Sequence, residues 1–219
     1  MATQELTIPI SEEAIRALHV GDSVRLSGVM VTGRDAAHKY MVEHFVRHAG
    51  RVLENEDALY AELQQRLRGG VIYHCGPVVR QRVGGSVGGE EGECRWEFVA
   101  AGPTTSIREE VYEPEIVAHF GLRGVIGKGG MGPATLRACQ DYGAVYFHAV
   151  GGAASLIASA VKDVISVHKK DEFGVPEALW VVRVEGFPVV VTMDSHGRSI
   201  HDEVEAASKA ALARLVGGG

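Results

Sequence analysis

The sequence predicts an α/β fold in three layers, and three observations carry that prediction. Apolar stretches of strand length alternate with helix-period stretches along nearly all of the 219 residues. Several of the strand-like stretches run into glycine-containing loops followed at once by helix starts. Hydrophobic residues make up 46% of the chain, enough for the core of one domain spanning residues 1–219.

The elements follow in order. Leu6 to Ile8 is a short apolar stretch, and Ser11 caps a brief helix with Glu12 and Glu13 in its first turn. Alternation from Ser23 to Thr32 predicts a strand, and Asp35 is the expected N-cap of a helix that stops at Gly50. Arg34 then lies in the strand-to-helix turn. Residues 51–68 read as an exposed amphipathic helix closed by Gly69 and Gly70. Val71 to Cys75 and Arg95 to Ala101 read as strands, joined across a glycine-rich hairpin connection at about 81–93 expected to be flexible. Pro114 opens a helix to Phe120 with Gly121 as its stop. A strand through Val125 and Ile126 precedes a helix over Ala134–Tyr142. Beyond Gly143 come a strand over Ala144–Val150, a small-residue helix through Ala160 and a strand over Val164–Val167. Ala178–Val184 and Pro188–Met193 read as two strands around Gly186, and Ser199 starts a terminal helix through Leu215.

Composition excludes several classes. Net charge is −6 with dispersed Lys and Arg, which argues against nucleic acid or an anionic membrane surface as partner. No apolar run reaches the length of a membrane span, and Met1 to Glu5 shows no signal-peptide pattern, so the expected location is the cytoplasm. Cys75, Cys94 and Cys139 are 19 and 45 residues apart, without a metal-ligand spacing. The ten histidines show none either and read as surface or packing residues, so no metal site is assigned.

The stretch Gly127–Pro133 carries the first chemical signal, with four glycines in six positions around Lys128 ahead of a helix. Glycines let backbone N–H groups close in on a guest, and a helix N-terminus adds partial positive charge, so the expected guest is an anion. A plain strand-to-helix turn with an exposed lysine is the other reading. In the second loop, Gly102–Arg108, three hydroxyls and Arg108 follow a Gly-Pro turn, a pattern that also suits a helix cap. Arg34, Arg108 and Lys128 thus occupy three strand-end loops, where ligands of α/β sheets gather, and together they suit a small dicarboxylate.

Five motifs occur in order: Gly33-Arg34-Asp35-Ala36-Ala37-His38, Ile72-Tyr73-His74-Cys75-Gly76-Pro77, Gly102-Pro103-Thr104-Thr105-Ser106-Ile107-Arg108, Gly127-Lys128-Gly129-Gly130-Met131 and Met193-Asp194-Ser195-His196-Gly197. Together they resemble the β subunit of class I, iron–sulfur-dependent fumarate hydratases and of the related L(+)-tartrate dehydratases. The resemblance implies a swivelling β/β/α domain and a lyase active only with a larger α subunit, in an α2β2 assembly. It also implies a [4Fe–4S] cluster held by that α subunit, whose open iron acts as a Lewis acid on the substrate hydroxyl. By resemblance, Arg34, Arg108 and Lys128, with Gly129 beside it, bind substrate carboxylate, and Thr104 moves the C3 proton. The reaction implied is hydration of fumarate to L-malate, with tartrate dehydration as the alternative. Gly127-Lys128-Gly129-Gly130 also resembles the loop of a KH RNA-binding module, but Pro133 and the acidic balance speak against it.

Overall fold

The computed structural model describes residues 3–48, 56–83 and 94–216, and the side chains of Val83 and Cys94 lie outside that description. The proposed stop at Gly50, the start of the helix read over 51–68 and most of the 81–93 connection also fall outside it.

Chain order is β1 (Gln4–Ile8), α1 (Glu12–Arg16), β2 (Ser23–Thr32), α2 (Asp35–Met41) running into a π-turn at Val42–Val46, α3 (Asp57–Leu67), β3 (Val71–Tyr73), β4 (Val78–Val83) and β5 (Cys94–Ala100). A 3₁₀ segment, Ser106–Val111, leads to α4 (Glu113–Phe120), β6 (Gly124–Gly127), α5 (Pro133–Tyr142), β7 (Val145–His148), α6 (Ala154–Ala158), β8 (Val161–His168), α7 (Lys170–Phe173), β9 (Leu179–Met193) and α8 (Ile200–Val216). Ser11 caps α1 by accepting from the Ala14 amide, and Gly121 and Gly143 end α4 and α5 in the left-handed region. At α2 the cap is Arg34; Asp35 is the first helical residue, not the N-cap.

β2, β3, β6 and β7 are parallel neighbours, and β1 pairs parallel with the first half of β2 on the flank that β3 takes up further along. β9 pairs antiparallel with β2 along one flank; its other flank pairs with β8 first and β7 later, which closes the sheet on itself. Gly186 does not split this strand. The register shifts between Leu26 and Gly28 on the facing strand, and the Gly186 amide donates to the Ser27 hydroxyl at 3.0 Å. A bulge therefore stands where a turn was expected, since an extra residue can be absorbed without breaking a ladder.

Period-two alternation splits the sheet residues between two cores. Val71, Tyr73, Ile126, Phe147, Trp180 and Val182 pack inside the closed sheet. Ile72, Val125, Tyr146 and Val181 face a second core built with Met41, Leu63, Val117 and Cys139 from the helices. Two cores make three layers: antiparallel strands, parallel strands and helices. The β4–β5 hairpin lays Trp96 and Phe98 edge-on against Trp180. α8 projects outward without a buried side chain.

Gly121 tests the local logic in isolation, because its φ is 67° and a Cβ there would meet nothing within 4 Å. Gly121→Ala should therefore cost only backbone strain, about 1–2 kcal/mol, read as a lower urea midpoint with an unchanged slope.

Candidate active site

Because β2, β3, β6 and β7 run parallel, their C-terminal ends open at one sheet edge, and the loops beyond them meet there. The Gly33 amide donates to Tyr73 O at 3.0 Å and the His74 amide to Ile126 O at 2.8 Å. The loop after β5 is stitched into the same edge by three bonds. Thr104 N donates to His74 O at 2.7 Å, Lys128 N to Thr104 O at 3.1 Å and Ser106 N to Lys128 O at 3.0 Å. Thr104 and Lys128 are thus backbone neighbours although 24 residues apart in sequence. Arg34 lies across the β3 loop, where a Cβ on Gly76 would come within 2.6 Å of its Nη1. Gly129, in the left-handed region, is the exposed tip of the lysine loop.

The cations at this edge already face carboxylates. Arg108 pairs with Asp35 at 2.9 Å, which ties the 3₁₀ segment to the residue after Arg34. Arg34 lies 3.3 Å from Glu177, whose other oxygen accepts from the Ala36 amide at the start of α2. Lys128 makes no ion pair among the described residues. The N-terminus of α5 is occupied as well. Glu110 accepts from the amides of Gly132, Ala134 and Thr135 and from the Thr135 hydroxyl. An anion at this helix start was expected, and it is the protein's own carboxylate rather than a ligand.

Directly beneath the loops lies a polar cluster that sequence reasoning missed. His38 and His74, read as surface or packing residues, are completely buried and converge on buried Glu113. Both Nε2 atoms lie 3.0 Å from Glu113 Oε2, with His38 off the hydrogen-bond axis. His38 Nδ1 donates to Arg34 O at 2.9 Å, a carbonyl that can only accept. His74 Nδ1 lies 2.8 Å from Ser106 Oγ, which receives the Tyr146 hydroxyl at 2.9 Å. Burial would push the Glu113 carboxyl up, but the two imidazoles outweigh it and hold the group down at about 2. Burial lowers His38, yet Glu113 more than offsets this and raises it above its ordinary value, while burial drives His74 below its own. The consistent state is ionised Glu113 beside neutral His74 with its proton on Nε2, and Glu113 biases His38 towards its charged form. The one sequence signal was His74 itself, an ionisable residue closing the apolar run Val71-Ile72-Tyr73.

Metal or cluster binding was tested against the same geometry. The ligand atoms of His38, His74 and Glu113 lie within 4.8 Å of one another; His74 Nε2 is taken up by Glu113 Oε2, while His38 Nε2 and Glu113 Oε1 have no hydrogen-bond partner among the described residues. Cys75 belongs to the inner core and Cys139 to the helix-side core, on opposite faces of the sheet. Burial pushes the Cys75 thiol up to about 12 and raises Cys139 as well, which disfavours the thiolates that iron requires. These two residues do not fit an iron–sulfur cluster.

Fold and edge together define a three-layer β/β/α domain with a cation-bearing loop cluster at its parallel strand ends. The chain belongs to the Fumarase C-terminus family, whose sequence model matches residues 2–204. It is 46% identical over 210 residues to a Geobacillus stearothermophilus protein assigned by name to fumarate hydratase class I; the match covers 96% of this chain but 36% of that protein. This chain therefore spans little more than a third of that relative's length. It is 37% identical over 196 residues to the L(+)-tartrate dehydratase subunit beta of Escherichia coli (strain K12), covering 89% of this chain and 85% of the relative. A Methanocaldococcus jannaschii protein named for the same subunit is 37% identical over 209 residues, 95% and 96% of the two chains. No helix of the described residues is long and apolar enough to cross a membrane.

Glu109 beside the cluster gives a pH test. Its carboxylate is buried without a hydrogen-bond partner, and burial raises it to about 7. A raised carboxyl keeps its proton in the folded chain after the unfolded chain has lost it, so stability falls as pH rises from about 4.5 through 7. Glu109→Gln should stabilise the chain at pH 8 by on the order of 2 kcal/mol and leave it nearly unchanged below pH 4.5. Urea unfolding of both proteins at the two pH values checks this.

Proposed function

We propose that this chain is the β subunit of a two-subunit hydro-lyase that hydrates fumarate reversibly to L-malate. The carrying observation is the meeting of Arg34, Thr104, Arg108 and Lys128, from three separate loops, at one open sheet edge. Arg34 and Arg108 offer planar forks for carboxylate, and Lys128 adds a compact charge beside them. Asp35 and Glu177 hold the two arginines. A substrate carboxylate either exchanges with them or takes the remaining N–H groups of each fork. Gly129, without a side chain, lets substrate approach the lysine loop closely.

Thr104 is assigned the proton at C3. A threonine hydroxyl is a weak base, and the positive charge of Lys128 on the adjoining backbone favours its deprotonated form. The [4Fe–4S] cluster of this reaction class is assigned to the α subunit, because the buried thiols of this chain do not suit it. Assembly as α2β2 in the cytoplasm completes the proposal. Dehydration of L(+)-tartrate is the second reading. The two relatives named as tartrate dehydratase β subunits match this chain over 96% and 85% of their own length.

Alone, the purified chain should be colourless and inactive. Mixed anaerobically with its α partner, iron and sulfide, it should give a brown complex that hydrates fumarate. Robust activity of the isolated chain would overturn the subunit assignment, and tartrate turnover exceeding fumarate turnover would select the second reading.

The clamp is tested in that complex. Lys128→Ala should lower kcat/KM by roughly thirty- to several-thousand-fold, the equivalent of on the order of 2–5 kcal/mol for an unpaired buried charge. Arg108→Lys should also be poorly tolerated, because an ammonium cannot reproduce a two-bond fork. Thr104→Val should depress kcat far more than substrate affinity. Near-native kcat/KM in both cation variants would sink the clamp.

A further inference from the structure

Beneath the candidate site, a chain of polar contacts crosses the helix-side face of the sheet. The Tyr146 hydroxyl donates to Ser106 Oγ at 2.9 Å, and Ser106 Oγ stands 2.8 Å from His74 Nδ1. His74 Nε2 meets Glu113 Oε2 at 3.0 Å, His38 Nε2 lies 3.0 Å from that oxygen, and His38 Nδ1 reaches Arg34 O at 2.9 Å. At the other end, a Cβ on Gly127, the first residue of the lysine loop, would come within 2.9 Å of the phenol oxygen. The chain therefore starts beside the lysine loop, passes beneath the Thr104–Arg108 loop at Ser106, and ends on the backbone of Arg34.

Its donor order allows no alternative. The Arg34 carbonyl and the ionised Glu113 carboxylate only accept, so His38 Nδ1 and His74 Nε2 must donate, and His74 Nδ1 must accept from Ser106. A chain with a single proton order in a dry core holds its members at fixed separations, because an orphaned polar group there is costly. Packing agrees with this: a Cβ on Gly127 would collide with the Ser106 hydroxyl, so the lysine loop starts hard against the chain. Ser106, His74, Glu113 and His38 are fully buried, out of reach of a substrate.

We propose that Tyr146, Ser106, His74 and Glu113 are positioning residues that set the spacing between Arg34 and the Lys128–Gly130 loop, and so match the site to the length of its dicarboxylate. This rests on the dicarboxylate reading above. Loss of the chain loosens two binding loops but touches no reacting atom, so it acts on affinity before turnover.

The test uses Tyr146→Phe and Ser106→Ala, each removing one oxygen, with Glu113→Gln as the charge variant. In the assembled complex, calorimetry measures the Kd of succinate, a four-carbon dicarboxylate that cannot be hydrated, beside KM and kcat. Kd and KM should each rise tenfold or more while kcat falls less than threefold. The Tyr146→Phe, Ser106→Ala double variant should match the weaker-binding single variant within twofold, because both cut one chain. In the isolated chain, amide exchange should quicken together at residues 34–38 and 128–130 in either single variant. Unchanged Kd in the folded single variants, or a loss confined to kcat, overturns the proposal. A wild-type complex that binds no dicarboxylate overturns the substrate reading instead. The amide-exchange experiment then decides the brace alone: joint quickening supports it, and unchanged exchange in either segment overturns it.

Discussion

An ionised carboxylate with no exposure to solvent is the constraint around which this end of the molecule is arranged. Glu113 opens α4 inside the helix-side layer, where an uncompensated charge would cost several kcal/mol. Compensation comes from two imidazoles delivered by α2 and by the residue after β3. Those deliveries fix where α2 starts relative to β3, and hence where Arg34, its N-cap, stands. Ser106 extends the arrangement to the loop that carries Thr104 and Arg108. Arrangement of the surface loops is thus set from below, by an electrostatic requirement of the core.

Above that buried charge the same principle operates in reverse. Cations gathered at the strand ends repel one another, and the chain relieves this with carboxylates of its own. Asp35 serves Arg108 and Glu177 serves Arg34. Both pairs are partly open to water, where ion pairs contribute little to stability and exchange partners readily. Glu110 differs, because it accepts four hydrogen bonds at the start of α5 and stays with the fold. Under the proposed dicarboxylate clamp, an incoming dianion would compete with Asp35 and Glu177, not with Glu110. In that proposal the glycine-rich loop contributes close approach and Lys128, while the helix behind it contributes structure.

Much of this was legible in the chain. The strand Ser23–Thr32 and the stops at Gly121 and Gly143 follow from alternation and from the left-handed preference of glycine, both local effects. The cation-bearing loops were legible because Gly33-Arg34, Gly102-Pro103 and Gly127-Lys128 interrupt apolar stretches abruptly. What failed depends on contacts distant in sequence. Gly186 looks like a turn until β2 is paired against it with its own irregularity at Leu26 and Gly28. Asp35 looks like a cap until Arg108, 73 residues on, claims its carboxylate. His38, His74 and Glu113 form no motif because they come from three elements, and nothing local distinguishes a buried imidazole from an exposed one.

The proposed division of labour with a partner agrees with the two cores. A cluster ligated by cysteines needs several thiolates converging from one side, and this fold sends Cys75 and Cys139 to opposite faces of the sheet. The strand-end edge offers cations and a hydroxyl, and it is open to solvent at Arg108 and Gly129. Such an edge can grip an anion but cannot enclose one, and desolvation of charge is what gives catalytic electrostatics their strength. On the proposed reading, enclosure comes from the α subunit. The Geobacillus stearothermophilus relative carries nearly two-thirds of its length beyond the match, whereas the tartrate dehydratase β subunits do not. On that same reading, the cation-bearing edge is a face that the partner covers.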